Sequence, residues 1–198
     1  AACIHYLGGI RRNMKFYYYL EPLKGGMGDS MKHLNYAFRF GALFVIVTGA
    51  LAHFLYDWCN NTAVVGLFTP VNESIWEHMK LLFFPMLLYA FLLIWRLKPT
   101  YPGIPSALYA GILAGTALIP LFFYSYTAVL GKDCFVLDLS TFFVSIVIAF
   151  WLSYRFTLSR KMYRYTTSLR WLVCILFILF MLFTYSPPAL KIFEDPAI

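Results

Sequence analysis

Charge is scarce in this chain: only 13% of its 198 residues are Asp, Glu, Lys or Arg, and just nine of those are acidic. A freely soluble domain would need more charged surface than this, and it could not hide a composition that is 61% hydrophobic. The four cysteines (Cys3, Cys59, Cys134, Cys174) stand in no CxxC or Cys/His spacing, which excludes a zinc ribbon or a dithiol redox motif. HExxH and any legible Ser/His/Asp nucleophile set are missing too, so the familiar zinc-protease and serine-hydrolase signatures do not apply. The first thirty residues lack an apolar run long enough for a signal peptide.

What the chain has in abundance is apolar and aromatic residues, the latter at 20%, with a mean hydropathy of +0.69. Runs of about 20 apolar residues suffice to cross a bilayer. Five such runs are legible, at roughly 37–57, 71–96, 104–129, 135–155 and 169–186, predicting an all-α bundle of five transmembrane helices in a polytopic membrane protein. Thr69-Pro70 reads as the cap and first position of the second helix, and Gly103-Ile104-Pro105 opens the third. Gly131-Lys132-Asp133 is a turn, Ser186-Pro187-Pro188 ends the fifth helix, and Pro85 and Pro120 fall inside helices. Met31-Lys32-His33 reads as a natural start, so residues 1–30 are expected to be a non-native or disordered extension and 31–198 a single five-helix domain.

The basic residues predict orientation. Thirteen of the sixteen Lys and Arg precede the first span or lie between spans two and three or four and five. The positive-inside rule makes that side cytoplasmic, with the N-terminus inside and the C-terminus outside a cell membrane. The net charge of +7 is then a topology signal and at most a lipid-headgroup contact, with no nucleic-acid partner implied. Seven of the nine acids, Asp57, Glu73, Glu77, Asp133, Asp138, Glu194 and Asp195, fall at or near the opposite face.

The hairpin between the first two spans carries the candidate chemistry. It sets His53, Tyr56, Asp57, Glu73, Trp76, Glu77, His78 and Lys80 at the edge of hydrocarbon, where ionisable groups are costly and mark functional sites by default. The second span has fifteen uncharged residues from Leu81 to Trp95, about 22 Å against a hydrocarbon thickness near 30 Å, which draws Glu77 and His78 to the membrane edge. His78 is offset by about 100° from Glu77 around the helix, so both reach one metal only if the first turn is distorted. On the first helix His53 shares a stripe with Ala42, Ile46 and Gly49 and is expected to face a neighbouring helix. Asp138 on the fourth helix and Tyr126 on the third, which also carries a Gly111/Gly115 packing face, are expected to point to the same end.

Three readings stay open. In the first, His53, Glu73 or Glu77 and His78 ligate a divalent metal, zinc or iron, with Asp57 orienting His53 and Asp138 acting as catalytic base of a membrane hydrolase. In the second, Glu77, His53 and Asp138 line a solute or proton pathway, with Ser145 and Ser153 continuing downward; no inverted repeat supports it. In the third, the cluster only locks the helices of a structural or interaction protein, and Trp76, Tyr124 and Tyr126 are interfacial anchors. A Cys59–Cys134 disulfide is left open.

The segments HFLYDW, VGLFTPVNESIWEHMKLLFFPMLLY, FFYSYTAVLGKD, FVLDLSTFFVSI and FTYSPPALKIFEDP together resemble a family of small polytopic membrane proteins of Gram-positive anaerobes, labelled as domain of unknown function 6512. The resemblance covers about residues 31–198. It implies the multi-helix membrane fold and draws attention to the hairpin positions and Asp138. It implies no activity, cofactor or substrate.

Overall fold

The computed structural model describes residues 27–195. Helix α1 runs Met27–Trp58, a single-turn α2 Ala63–Gly66, α3 Ile75–Leu97, α4 Ile104–Leu130, α5 Phe135–Ser159 and α6 Thr166–Phe183, with short 3-10 turns at Tyr163–Tyr165 and Lys191–Phe193. Among the described residues there is no strand, and five helices are long and apolar enough to cross a membrane.

The expected spans match these helices with two differences at their starts. α1 begins about ten residues before the apolar run, because polar turns carrying Asp29 and Lys32, paired at 3.3 Å, continue the same helix. Residues 27–30 of the expected N-terminal extension are therefore the first turn of α1, and the rest of that extension lies outside the described residues. α3 begins at Ile75 rather than at Pro70. Its cap is Ser74, whose hydroxyl accepts the Glu77 N–H at 3.4 Å, while the Ser74 N–H donates to the Asn72 side chain at 3.1 Å. Thr69 and Pro70 belong to a buried loop beneath α2, with the Thr69 hydroxyl turned back on the Val65 carbonyl at 2.9 Å. The other punctuation holds. Pro105 sits in the first turn of α4, and Gly131 ends that helix in the left-handed conformation at φ 71°.

α1 packs on α3 and α5, and α4 packs on the same two, so the four close into a bundle. Leu82, Phe83 and Met86 of α3, Leu108 and Ile112 of α4 and Ile146 of α5 form its fully buried centre. α6 lies outside against α4 and offers little to the core except Val173 and Phe180, the latter ringed by Trp76, Phe83 and Phe84. The Tyr89 hydroxyl donates to the Ala37 carbonyl at 2.7 Å and pins α3 to α1.

Small residues bring α4 and α5 close together. A Cβ on Gly111 would strike the Ser153 hydroxyl and stand 2.7 Å from the Ala149 carbonyl, and one on Gly115 would meet the Ala149 methyl. Small residues let backbones come this near in lipid, where dispersion replaces the hydrophobic drive. Gly111→Val should therefore cost about 1–3 kcal/mol by overpacking, read as a lowered unfolding midpoint in detergent, while the same change at lipid-facing Ala117 leaves the midpoint unmoved.

Candidate metal centre and buried ion pair

The bundle end where α1 finishes and α3 begins gathers the hairpin acids and is called the acidic end below. There, the last turns of α1 bring His53 beside His78 in the first turn of α3, their rings 5.3 Å apart and edge to face. Glu73, in the loop before α3, places one carboxylate oxygen 3.4 Å from His78 Nε2 and 3.7 Å from His53 Nε2. One ligand atom from each residue lies within 4.8 Å of the others. The three side chains are only partly covered, at 28–52% exposure, so the site is open to small molecules.

The His78 ring has a defined tautomer. Its Nδ1 lies 3.0 Å from the Ser74 carbonyl, which can only accept, so Nδ1 carries the proton. In the neutral ring Nε2 is then a lone pair aimed at a carboxylate oxygen, and two acceptors face each other unless a cation lies between them. That cation is either a second proton on the ring or a metal ion.

Glu73 lies outside the spans, and its carboxyl is held below the ordinary range by the His78 hydrogen bond, with the charges of His78 and His53 adding to it; partial desolvation opposes them. A carboxyl depressed in this way stabilises the fold above its unfolded value and loses that contribution as pH falls through its folded one. Glu73→Gln should therefore show a shallower loss of thermal stability than the parent on acidification below pH 4.5, followed by scanning calorimetry in detergent.

Glu77 does not join this cluster. One helical step from His78, it turns into the protein, where it is 2% exposed. Its Oε2 accepts from Lys80 Nζ at 2.6 Å and from the Val71 N–H at 3.1 Å. Lys80 is fully buried and its ammonium also donates to Thr184 at 2.7 Å, to the Gly66 carbonyl at 3.0 Å and to the Thr69 carbonyl at 3.5 Å. This knot ties α3, the α2 loop and the end of α6 together. It separates Glu77 from the expected ligand set because residues one position apart on a helix face different sides.

The remaining candidates divide by location. Asp138, in the first turn of α5, accepts a short hydrogen bond from the Tyr126 hydroxyl, which also accepts the Cys134 N–H at 3.4 Å. Asp57 does not orient His53; it is exposed and faces Asn61 at 3.5 Å in the turn after α1. Tyr56 packs with Tyr185 over Gly66, where only a glycine leaves room for both rings. Trp76 is buried among Phe180, Phe183 and Phe193, on the α6 side of α3. Cys59, Cys134 and Cys174 are free thiols.

Several participants escaped the sequence reading. Thr184 and Asp195, which accepts the Glu73 N–H at 3.4 Å, lie over a hundred residues from their partners and carry no local signal. Ser74 did carry one, since Ser74-Ile75-Trp76-Glu77 fits the S-x-x-E pattern of a helix start.

Five apolar helices, four of them closed into a bundle with a small polar cluster at one end, define a multi-pass membrane protein of the helix-bundle class. The chain belongs to the family of unknown function DUF6512, which matches residues 29–198. No curated protein and no solved structure matches it.

Proposed function

We propose that this protein binds a divalent metal ion, zinc or iron, through His53, Glu73 and His78 at the outer face of the cell membrane, and uses it to activate water. The observation that carries the reading is the single Glu73 oxygen shared by two imidazole nitrogens, one of which has its lone pair fixed toward it by the Ser74 carbonyl. Ligands about 2.0–2.2 Å from a tetrahedral ion stand roughly 3.3–3.6 Å apart, and two of the separations here are 3.4 and 3.7 Å. Two histidines and a carboxylate are a set that leaves a fourth position free. An ion so held supplies a bound water acidified to a pKa of about 7. Asp138, which accepts a hydrogen bond from Tyr126, is the carboxylate proposed to take its proton.

The orientation rests on the basic residues at the opposite end, including Arg96, Lys98, Arg155, Arg160, Lys161 and Arg164. A proton pathway through the bundle is less well supported. The Ser153 and Thr157 hydroxyls are turned back on carbonyls of their own helix at 2.8 Å, which breaks the polar track of α5 toward the basic end.

Metal analysis of protein purified without a histidine tag tests the proposal. Close to one equivalent of zinc or iron is expected, falling to background in His53→Ala. Absence of a stoichiometric metal, with His53→Ala no different from the parent, ends it.

A further inference from the structure

We infer that the cleft between the end of α4 and the segment after α6, at the acidic end, binds a water-borne zwitterion of the amino-acid or short-peptide class. The binding half stands on the cleft alone; the half that makes this ligand the substrate of the His53–Glu73–His78 centre rests on the metal reading.

The cleft has a volume of about 500 Å³, within the range of ligand sites. Ile75, Phe123 and Ala128 give it an apolar wall, while Lys132, Asp133, Lys191, Glu194 and Asp195 give it charge of both signs. Lys132 and Asp133 lie past the end of α4 at Leu130, and the other three past the end of α6 at Phe183. The charged side of the cleft therefore lies in the water layer beyond the spans. Its charges are not spent on one another. Among the described residues, Lys132, Asp133, Lys191 and Glu194 make no ion pair and no side-chain hydrogen bond, and the Tyr124 hydroxyl in the same wall makes no hydrogen bond either.

This pattern selects the ligand. Three carboxylates, joined by the partial negative charge at the C-terminus of α4, repel a polyanion such as a nucleotide, and two ammonium groups repel a polyamine. A hydrocarbon chain would strip water from all five charges and return nothing. A molecule with one ammonium and one carboxylate meets both signs, and its apolar side chain has Phe123 and Ile75 to pack against.

The cleft adjoins the metal cluster by direct contact. The Asp195 carboxylate, part of its wall, accepts the Glu73 N–H at 3.4 Å. Ile75 precedes His78 by three residues, so the two are neighbours on the surface of α3. The amide of a peptide seated here is the bond that a metal-held water would split. The hydroxyl of that water joins the carbonyl carbon, the C–N bond breaks, and the remaining proton passes to the departing amine.

Titration calorimetry at low ionic strength, on the full chain in detergent after chelator treatment, tests the binding half. The probe is leucyl-phenylalanine, compared with its N-acetyl and C-amide forms and with phosphoethanolamine. The free dipeptide should bind about fivefold more tightly than either blocked form, the upper end for an exposed ion pair. Lys132→Gln/Lys191→Gln should erase its advantage over the C-amide, and Asp133→Asn/Glu194→Gln its advantage over the N-acetyl form. All four side chains are exposed, so these variants keep the fold. Lys161→Gln, exposed at the opposite end, should change nothing. Equal binding of free and blocked dipeptides, or charge variants indistinguishable from the parent, overturns the cleft. Tighter binding of phosphoethanolamine than of the dipeptide overturns the peptide class in favour of a phospholipid head group. Dipeptide bound but left uncleaved by metal-loaded protein overturns the substrate half, whereas dipeptide bound by protein that takes up no metal removes the metal reading and leaves the cleft standing.

Discussion

Replacing Lys80 with methionine should lower the unfolding free energy by about 3–5 kcal/mol, the largest stability loss of any single substitution near the acidic end. The side chain has no solvent exposure and its partner Glu77 has 3%, so removing the ammonium strands a carboxylate that water cannot reach. Three further acceptors, Thr184 and the carbonyls of Gly66 and Thr69, lose their donor in the same step. The double variant Glu77→Leu/Lys80→Met should recover a substantial part of the loss, because it removes both charges instead of one, although the loop carbonyls and the Val71 N–H stay unpaired. Reversible unfolding in mixed micelles, read by tryptophan fluorescence, gives the comparison. A single variant within about 0.5 kcal/mol of the parent would mean that the pair contributes little to holding α3, the α2 loop and α6 together.

His78→Ala should act in the opposite sense, leaving stability nearly unchanged while weakening zinc affinity by at least about 100-fold, the upper range for losing even a group that only orients a ligand. The side chain is part exposed, so no large cavity forms. The buried Ser74 carbonyl keeps the backbone N–H of residue 78, at 3.1 Å, as its partner when the ring is removed. What disappears is the one imidazole whose lone pair is fixed before any ion arrives. Glu73→Gln should cost less than His78→Ala, because a neutral amide oxygen still coordinates. Competition titration with a chromogenic chelator resolves these affinities. Equal affinity in parent and His78→Ala would remove His78 from the site.

The two substitutions separate functions that the sequence presented as one string. Apolar length and loop chemistry made the five helices legible, and turn residues such as Gly103-Ile104-Pro105 and Gly131 fell where expected. The start of α3 was misplaced because Thr69-Pro70 imitates a cap, whereas the real cap is set by Ser74 and stabilised by a loop fold that only tertiary contacts create. Helical phase already hinted that Glu77 and His78 could not serve one ion. It could not say which would face the cluster, because the deciding partner, Thr184, lies 104 positions from Lys80. His53, Asp138 and Tyr126 were found by spacing along their own helices, since each occupies the same end of a different element of the bundle. Asp57 was misjudged for a local reason: the chain turns at Asn60 and Asn61, both with positive φ, and brings the Asn61 amide to the Asp57 carboxylate.

X-ray absorption at the metal edge of untagged protein, purified and reconstituted in lipid, is the most direct measurement of the central claim. The spectrum should show two imidazole nitrogens and one or two further oxygens at about 2.0–2.2 Å and no sulfur, and the imidazole signature should vanish in the His53→Ala/His78→Ala double variant. A spectrum dominated by sulfur near 2.3 Å, or one unchanged in the double variant, would contradict the assignment of His53, Glu73 and His78 as the metal site.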